Sequence, residues 1–117
     1  IGNALQNANL SIILVAYIIS TLMRIGVGST TVALTMTLGI VASFPQISTY
    51  SPMYLACIGM SAMFGATSFS HVNDSGFWMF KEYFNLSIKD TICSWSIMET
   101  IVSVVGLIGV MILNMIV

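Results

Sequence analysis

The stretch Arg24-Ile25-Gly26-Val27-Gly28-Ser29-Thr30-Thr31 decides the fold, because it interrupts an apolar run that would otherwise continue from residue 8 to residue 43. As helices, the apolar segments 8–24 and 31–43 would be about 25 Å and about 20 Å long. Both lengths fall short of the ~30 Å hydrocarbon core of a bilayer. We therefore predict a helical hairpin over 8–43 with its tip at residues 26–31; a single kinked span is the alternative.

The charge distribution supports a membrane protein. The chain has 117 residues, of which 6% are charged, whereas a soluble domain carries roughly 25%. Five of the seven charges lie in the window 74–90, and Arg24 and Glu99 are the other two. With so few charges the chain cannot maintain a water-facing surface, so lipid is the solvent expected for most of it. Three basic residues provide no basic face for nucleic acid, which excludes that class of partner.

The remaining segments complete an all-α, polytopic architecture. Pro45 and Pro52 bracket a polar turn at 44–51, since proline does not continue a helix interior. We predict an interrupted helix plus an amphipathic segment over 52–90. Its parts are an apolar helix at 52–69 with small residues four apart, a polar break at 70–76 and an amphipathic helix at 77–90. The chain then ends in a final transmembrane helix over 95–117, long enough to cross a bilayer with some tilt.

The first polar break has the composition of an anion site. In hydrocarbon every backbone N–H and C=O needs a partner, so a break is tolerated only where protein or a water-filled cavity surrounds it. Transporters place such breaks near the midplane, where half-helix N-termini point at anionic substrate groups. The candidate substrate-binding residues here are Arg24, Gly26, Gly28, Ser29, Thr30 and Thr31. The alternative is that the glycines only loosen a surface loop and that Arg24 extends from a helix end to the headgroups.

The second polar break adds titratable groups. His71 exchanges a proton near neutral pH, and Asp74 is placed to share or relay it, so both are candidate proton-coupling residues. Ser70 and Asn73 are candidates for hydrogen bonds to substrate hydroxyls. The structural alternatives are that Asp74 or Ser75 caps the following helix and that His71 lies on a surface loop.

The sequence predicts no enzyme, cofactor or metal site. It contains no paired catalytic carboxylates, no nucleophile–base pair and no metal-ligand spacing. Glu99 follows Ser96 at the spacing of a capping box, which predicts that Glu99 lies at a wet helix end.

Two stretches resemble the gluconate permease family. The run Arg24-Ile-Gly-Val-Gly-Ser-Thr-Thr-Val-Ala-Leu-Thr is similar to that family's RxxxGSATVALTTAAG stretch, and Ser70-His-Val-Asn-Asp-Ser-Gly-Phe-Trp is similar to its SHVNDSGFW segment. The likeness extends over nearly the whole chain, which resembles the C-terminal portion of a gluconate:proton symporter. Thr30 departs from the family's Ser-Ala-Thr run, so the resemblance identifies the family more securely than the substrate.

The resemblance implies a secondary active transporter in the bacterial inner membrane that takes up gluconate or a related small carboxylate with protons. Its expected partners are the substrate, the lipid bilayer, the rest of the transporter chain and a second copy in a homo-oligomer. The alternative function is a non-transporting membrane subunit or helix-packing module, in which both breaks are loops and the small-residue faces hold a partner.

Overall fold

The structure is a computed structural model that describes residues 12–116, apart from the side chain of Gln46. The described residues form helices and no strand, as predicted. Five helices follow one another along the chain: α1 (Ile12–Val27), α2 (Thr30–Ala42), α3 (Pro52–Thr67), α4 (Ser75–Tyr83) and α5 (Ile88–Ile116). A 3-10 turn at Pro45–Thr49 lies between α2 and α3.

The first break ends α1 at Val27, and Gly28 and Ser29 connect it to α2. Gly28 has a φ of 80°, in the left-handed region that glycine enters without strain. The Ser29 side chain caps α2 by accepting a hydrogen bond from the Val32 N–H. Ile12 and Ile13 of α1 share one hydrophobic cluster with Val41 of α2, so the two helices pack together as in a hairpin.

The helical hairpin predicted over 8–43, with one kinked span as its alternative, stays a prediction. Of the predicted segment 8–43, residues 8–11 lie outside the described residues. The re-entrant placement of the hairpin in a bilayer stays a prediction.

Helix α3 packs against α1 through the predicted small residues. The Ser61 hydroxyl donates to the Ile13 carbonyl at 2.9 Å, and the Ser20 hydroxyl donates to the Ala62 carbonyl at 2.6 Å. A Cβ atom added to Gly65 would lie 2.6 Å from the Tyr17 carbonyl oxygen, so only glycine permits this separation of the two backbones. As in other helix pairs in membranes, close packing and interhelical hydrogen bonds hold the two helices together.

The region after the second break differs from the prediction in two ways. The amphipathic helix predicted for 77–90 is wrong in extent: α4 ends at Tyr83, and Asn85 takes a positive φ of 55° before α5 begins. The final helix predicted from residue 95 begins earlier, at Ile88, and its segment Ile92–Ser96 is π-helical. Within the described residues, α5 is the helix that is long and apolar enough to cross a membrane.

The capping box predicted for Ser96 and Glu99 is also wrong. Because α5 runs through both residues, Ser96 does not start a helix. The Ser96 hydroxyl instead donates to the Ser70 carbonyl. Glu99 therefore lies within the long helix and not at its end.

Gly65→Ala tests the close packing of α1 and α3. We expect the variant to lose about 1–3 kcal/mol of unfolding free energy, because the added methyl group forces the two backbones apart. Thermal unfolding of the purified full-length protein measures the change.

Gly59→Ala is the matched control on the same helix, since a Cβ atom there meets no atom within 4 Å. We expect it to be neutral or slightly stabilising, as alanine is the better helix former. Equal melting temperatures for the two variants would contradict the packing described.

Candidate functional site

The two polar breaks meet in space. Asn73 Nδ2 donates to the Ile25 carbonyl at 3.0 Å, and His71 Nε2 lies 3.1 Å from the same oxygen. Ile25 belongs to the last turn of α1, where carbonyl groups have no partner within the helix. The second break therefore supplies the hydrogen-bond donors that the end of the first helix lacks.

Arg24 connects three segments of the chain. Its side chain is 3% exposed, and its guanidinium donates to the Gly28 carbonyl at 2.9 Å and to the Ser68 carbonyl at 3.3 Å. The third bond runs from Nη2 to the Asp74 carboxylate at 2.7 Å, which makes a buried ion pair. A planar guanidinium with five N–H donors suits this role, and two of those donors remain after the three bonds.

Asp74 has two structural roles. Its carboxylate accepts from the Gly76 N–H at 3.2 Å and so caps α4, as the structural alternative predicted. The same carboxylate pairs with Arg24. Asp74 lies in the connector before α4; burial alone would raise the pKa of this carboxyl, but hydrogen bonds from Arg24 and Ser70 and the charge of Arg24 hold the pKa below its usual range.

Ser70 joins the second break to α5. Its hydroxyl donates to the Asp74 carboxylate and accepts from Trp95 Nε1 at 2.8 Å, while Ser96 donates to its carbonyl. Trp95 and Ser96 belong to the π-helical segment of α5, and such segments are frequent at functional sites. Through these bonds, the π-helical segment places α5 next to the Arg24–Asp74 ion pair.

A polar cavity of about 400 Å³ opens beside the ion pair. Two helix N-termini meet at its wall, that of α2 and that of α4. Within the described part of the chain, no acceptor binds the N–H groups of Thr30 and Thr31. The cavity is lined by Arg24, Gly28, Ser29, Thr30, Thr31, Thr67, Asp74, Ser75, Gly76, Trp95 and Glu99.

The cavity divides the residues predicted from the sequence into two groups. Arg24, Gly28, Ser29, Thr30, Thr31 and Asp74 line it. Gly26, Ser70, His71 and Asn73 do not line it. Gly26 is an exposed residue of α1, His71 and Asn73 contact the Ile25 carbonyl, and Ser70 bonds to Asp74 and to α5. Sequence analysis missed Thr67, Ser75, Gly76 and Trp95, and it placed Glu99 elsewhere. The carboxylate of Glu99 within an apolar run was the one signal that pointed to it.

A second cavity, about 310 Å³ in volume, is lined mainly by Met79, Phe80, Tyr83, Phe84 and Trp95. It offers almost no polar surface. A carboxylate would therefore favour the polar cavity, where N–H groups and a guanidinium compensate the loss of water.

Comparison with known proteins places the chain among bacterial permeases. A family model described as GntP family permease matches residues 1–116. The chain is 45% identical to a high-affinity gluconate transporter of Escherichia coli and 41% identical to a gluconate permease of Bacillus subtilis, in both cases over its whole length. It is 38% identical, over 97% of its length, to an L-idonate transporter of the Gnt-II system of Escherichia coli.

The chain spans about a quarter of the length of these relatives, 26% of the first and 25% of the other two. The predicted position of the chain at the C-terminal end of such a protein stays a prediction. No solved structure matches the chain.

Gly28→Ala tests the contact between the two breaks. A Cβ atom at Gly28 would lie 2.4 Å from the Asn73 carbonyl oxygen, and its positive φ disfavours any other residue. We expect the strained backbone alone to cost about 1–3 kcal/mol of unfolding free energy. Gly26→Ala is the control, because nothing lies within 4 Å of a Cβ atom there. Thermal unfolding of the full-length protein compares the two, and a Gly28→Ala variant as stable as Gly26→Ala would contradict the contact.

Proposed function

Since the chain belongs to the GntP family of permeases, we propose that its polar cavity forms part of the substrate site of a secondary active transporter for gluconate or a related small sugar acid. Uptake is driven by protons, and the complete carrier is a multi-pass protein of the bacterial inner membrane. The names of the relatives, which are transporters of gluconate and L-idonate, support the substrate class. They give no support to the alternative of a non-transporting subunit.

The observation that carries this proposal is the meeting of two helix N-termini and one guanidinium at a single polar cavity. A carboxylate loses much hydration free energy on burial unless charge or several N–H groups compensate it. The free N–H groups of Thr30 and Thr31 and the positive end of the α2 dipole provide that compensation. The two remaining N–H groups of Arg24 add charge-assisted donors.

The other end of a sugar acid carries hydroxyl groups, and the cavity wall matches this chemistry. Thr67 of α3 and Ser75 of α4 line the cavity together with residues 28–31. The Thr67 hydroxyl donates to the Met63 carbonyl at 2.8 Å and so is left to accept from a sugar hydroxyl, whereas the Ser75 hydroxyl can donate or accept. We assign the carboxylate end of the substrate to residues 28–31 and its hydroxyl end to these two residues.

Movement of the α1–α2 hairpin against the other helices would open the cavity to each side of the membrane in turn. Carriers with broken helices commonly alternate access by such motion of one unit around a fixed site. Because Arg24 and Gly28 lie at the hairpin tip and Asp74 at the start of α4, the ion pair bridges the two units. Ser70, Asn73 and His71 position the second break through their hydrogen bonds, and Gly26 lies in the last turn of α1.

Thr31→Val tests the Thr31 hydroxyl as a further donor to the substrate carboxylate, because the variant keeps the backbone N–H of residue 31 and removes only the hydroxyl; Thr31 is exposed and valine keeps the shape of threonine, so the risk to folding is small. We expect a rise of about three- to tenfold in KM for gluconate, the effect of one lost hydrogen bond. Uptake of radiolabelled gluconate by cells expressing the full-length carrier measures it.

Thr35→Val is the matched control on α2. Its hydroxyl donates to the Thr31 carbonyl within the helix, and Thr35 does not line the cavity. We expect unchanged KM for this variant; an equal effect in both variants would contradict the assignment.

Arg24→Ala tests the ion pair in the same uptake assay. The variant leaves the Asp74 carboxylate buried without its partner, which costs about 3–5 kcal/mol in comparable pairs. We expect uptake to fall to background, whereas Lys89→Ala, which removes an exposed positive charge outside the cavity, keeps normal uptake. Normal uptake by Arg24→Ala would remove Arg24 from the site.

A further inference from the structure

Glu99 is the acidic residue of the cavity lining to which the proposed function assigns no role. It lies on α5, one turn beyond the π-helical segment, and lines the same cavity as the Arg24–Asp74 pair. Its side chain is half-buried, and the charges of Arg24 and Asp74 both act on its carboxyl group. A carboxylate within an apolar membrane helix is costly, so its position next to the substrate cavity requires a functional explanation.

Glu99 has no partner that would hold it in place. Among residues 12–116 the ion pairs join Arg24 to Asp74 and Lys81 to Glu82, and Glu99 forms neither an ion pair nor a hydrogen bond. Asp74, by contrast, has its carboxylate bound by Arg24, Ser70 and the Gly76 N–H. Of the two carboxyl groups in the cavity, only that of Glu99 is free to change its protonation without breaking a contact.

The charges in the cavity explain why a carboxyl group that can change its protonation would help an anion to bind there. Two carboxylates face one guanidinium, so the empty cavity carries one net negative charge when all three groups are ionised. A substrate carboxylate would bring a second. Like charges that share a poorly solvated site favour protonation of one of them, and the group without a partner takes the proton most easily.

We infer that Glu99 carries the proton that enters with the substrate. The inference rests on the proposed function and names its coupling residue. A proton from the outer solution binds the Glu99 carboxylate and gives the neutral acid, which admits the substrate anion. When the substrate leaves on the other side, the acid releases its proton there and the carboxylate is restored.

The surroundings favour Glu99 over the two proton-coupling residues predicted from the sequence. The charged groups that face Glu99 are Arg24 from α1 and Asp74 from the second break. On α4, Lys81 pairs with Glu82 away from the cavity, and on α5 itself Lys89 and Asp90 are exposed. On α3, Tyr54 and Cys57 line a separate cavity with Asn114.

The two proton-coupling residues predicted from the sequence are less free than Glu99. His71 bonds to Ile25 outside the cavity, and Asp74 is held by Arg24.

Glu99→Gln tests the inference in the full-length carrier reconstituted into vesicles, with radiolabelled gluconate as the probe. An inward gradient of about one pH unit supports about a tenfold accumulation by the wild type if one proton enters with each substrate. We expect Glu99→Gln to let gluconate equilibrate without accumulation. It should still exchange external label for internal unlabelled gluconate, because exchange needs no net proton movement.

A control separates the coupling residue from its surroundings. Asp90→Asn neutralises an exposed carboxylate on the same helix, and it should accumulate gluconate as the wild type does. Accumulation by Glu99→Gln at the wild-type level would overturn the inference. The inference would also be overturned if the wild type accumulated gluconate in response to a sodium gradient while the pH was equal on both sides of the membrane.

Glu99→Asp keeps the inference testable if the glutamine variant fails to fold. We expect this variant to accumulate gluconate with a shifted pH dependence of uptake, and an unchanged pH profile would count against Glu99. Failure of the wild type to transport gluconate in any mode would instead count against the proposed function, so the two failures are distinguishable.

Discussion

The buried ion pair between Arg24 and Asp74 is the interaction on which the rest of the structure depends. One guanidinium binds the end of the first helix, the end of the third and the start of the fourth. At the first two helix ends the guanidinium satisfies backbone carbonyl groups, which need partners in an apolar setting, and at the fourth helix it pairs with the capping Asp74 carboxylate. Removal of Arg24 would leave the buried Asp74 carboxylate without its positive partner, which is strongly destabilising.

In the function proposed here, the ion pair also limits the kind of ligand that the cavity accepts. A free guanidinium would bind an anion tightly and release it slowly, whereas a guanidinium already neutralised by Asp74 keeps only part of its attraction. The N–H groups of Thr30 and Thr31 then provide attraction without a full charge. This combination suits a carrier, which must bind its substrate on one side and release it on the other.

Much of this could be predicted from the sequence because its signals are local. Gly28 lies in the predicted break, Asp74 is a good cap, and the small residues four apart within 52–69 predict a close helix contact. Each of these depends on neighbours within a few residues, and the structure places each as expected. The family resemblance is confirmed as well, since it rests on two continuous stretches.

The rest depends on contacts between distant residues, which no local pattern encodes. Glu99 was assigned to a capping box because Ser96 precedes it by three residues, yet the Ser96 hydroxyl bonds to Ser70 instead. Trp95 makes the companion bond to the Ser70 hydroxyl, and together they place the following turn of α5 beside the ion pair. Two hydrogen bonds across 25 and 26 residues thus convert an apparent helix end into a wall of the cavity. An acidic residue in an apolar run therefore needs its long-range neighbours before it can be assigned a role.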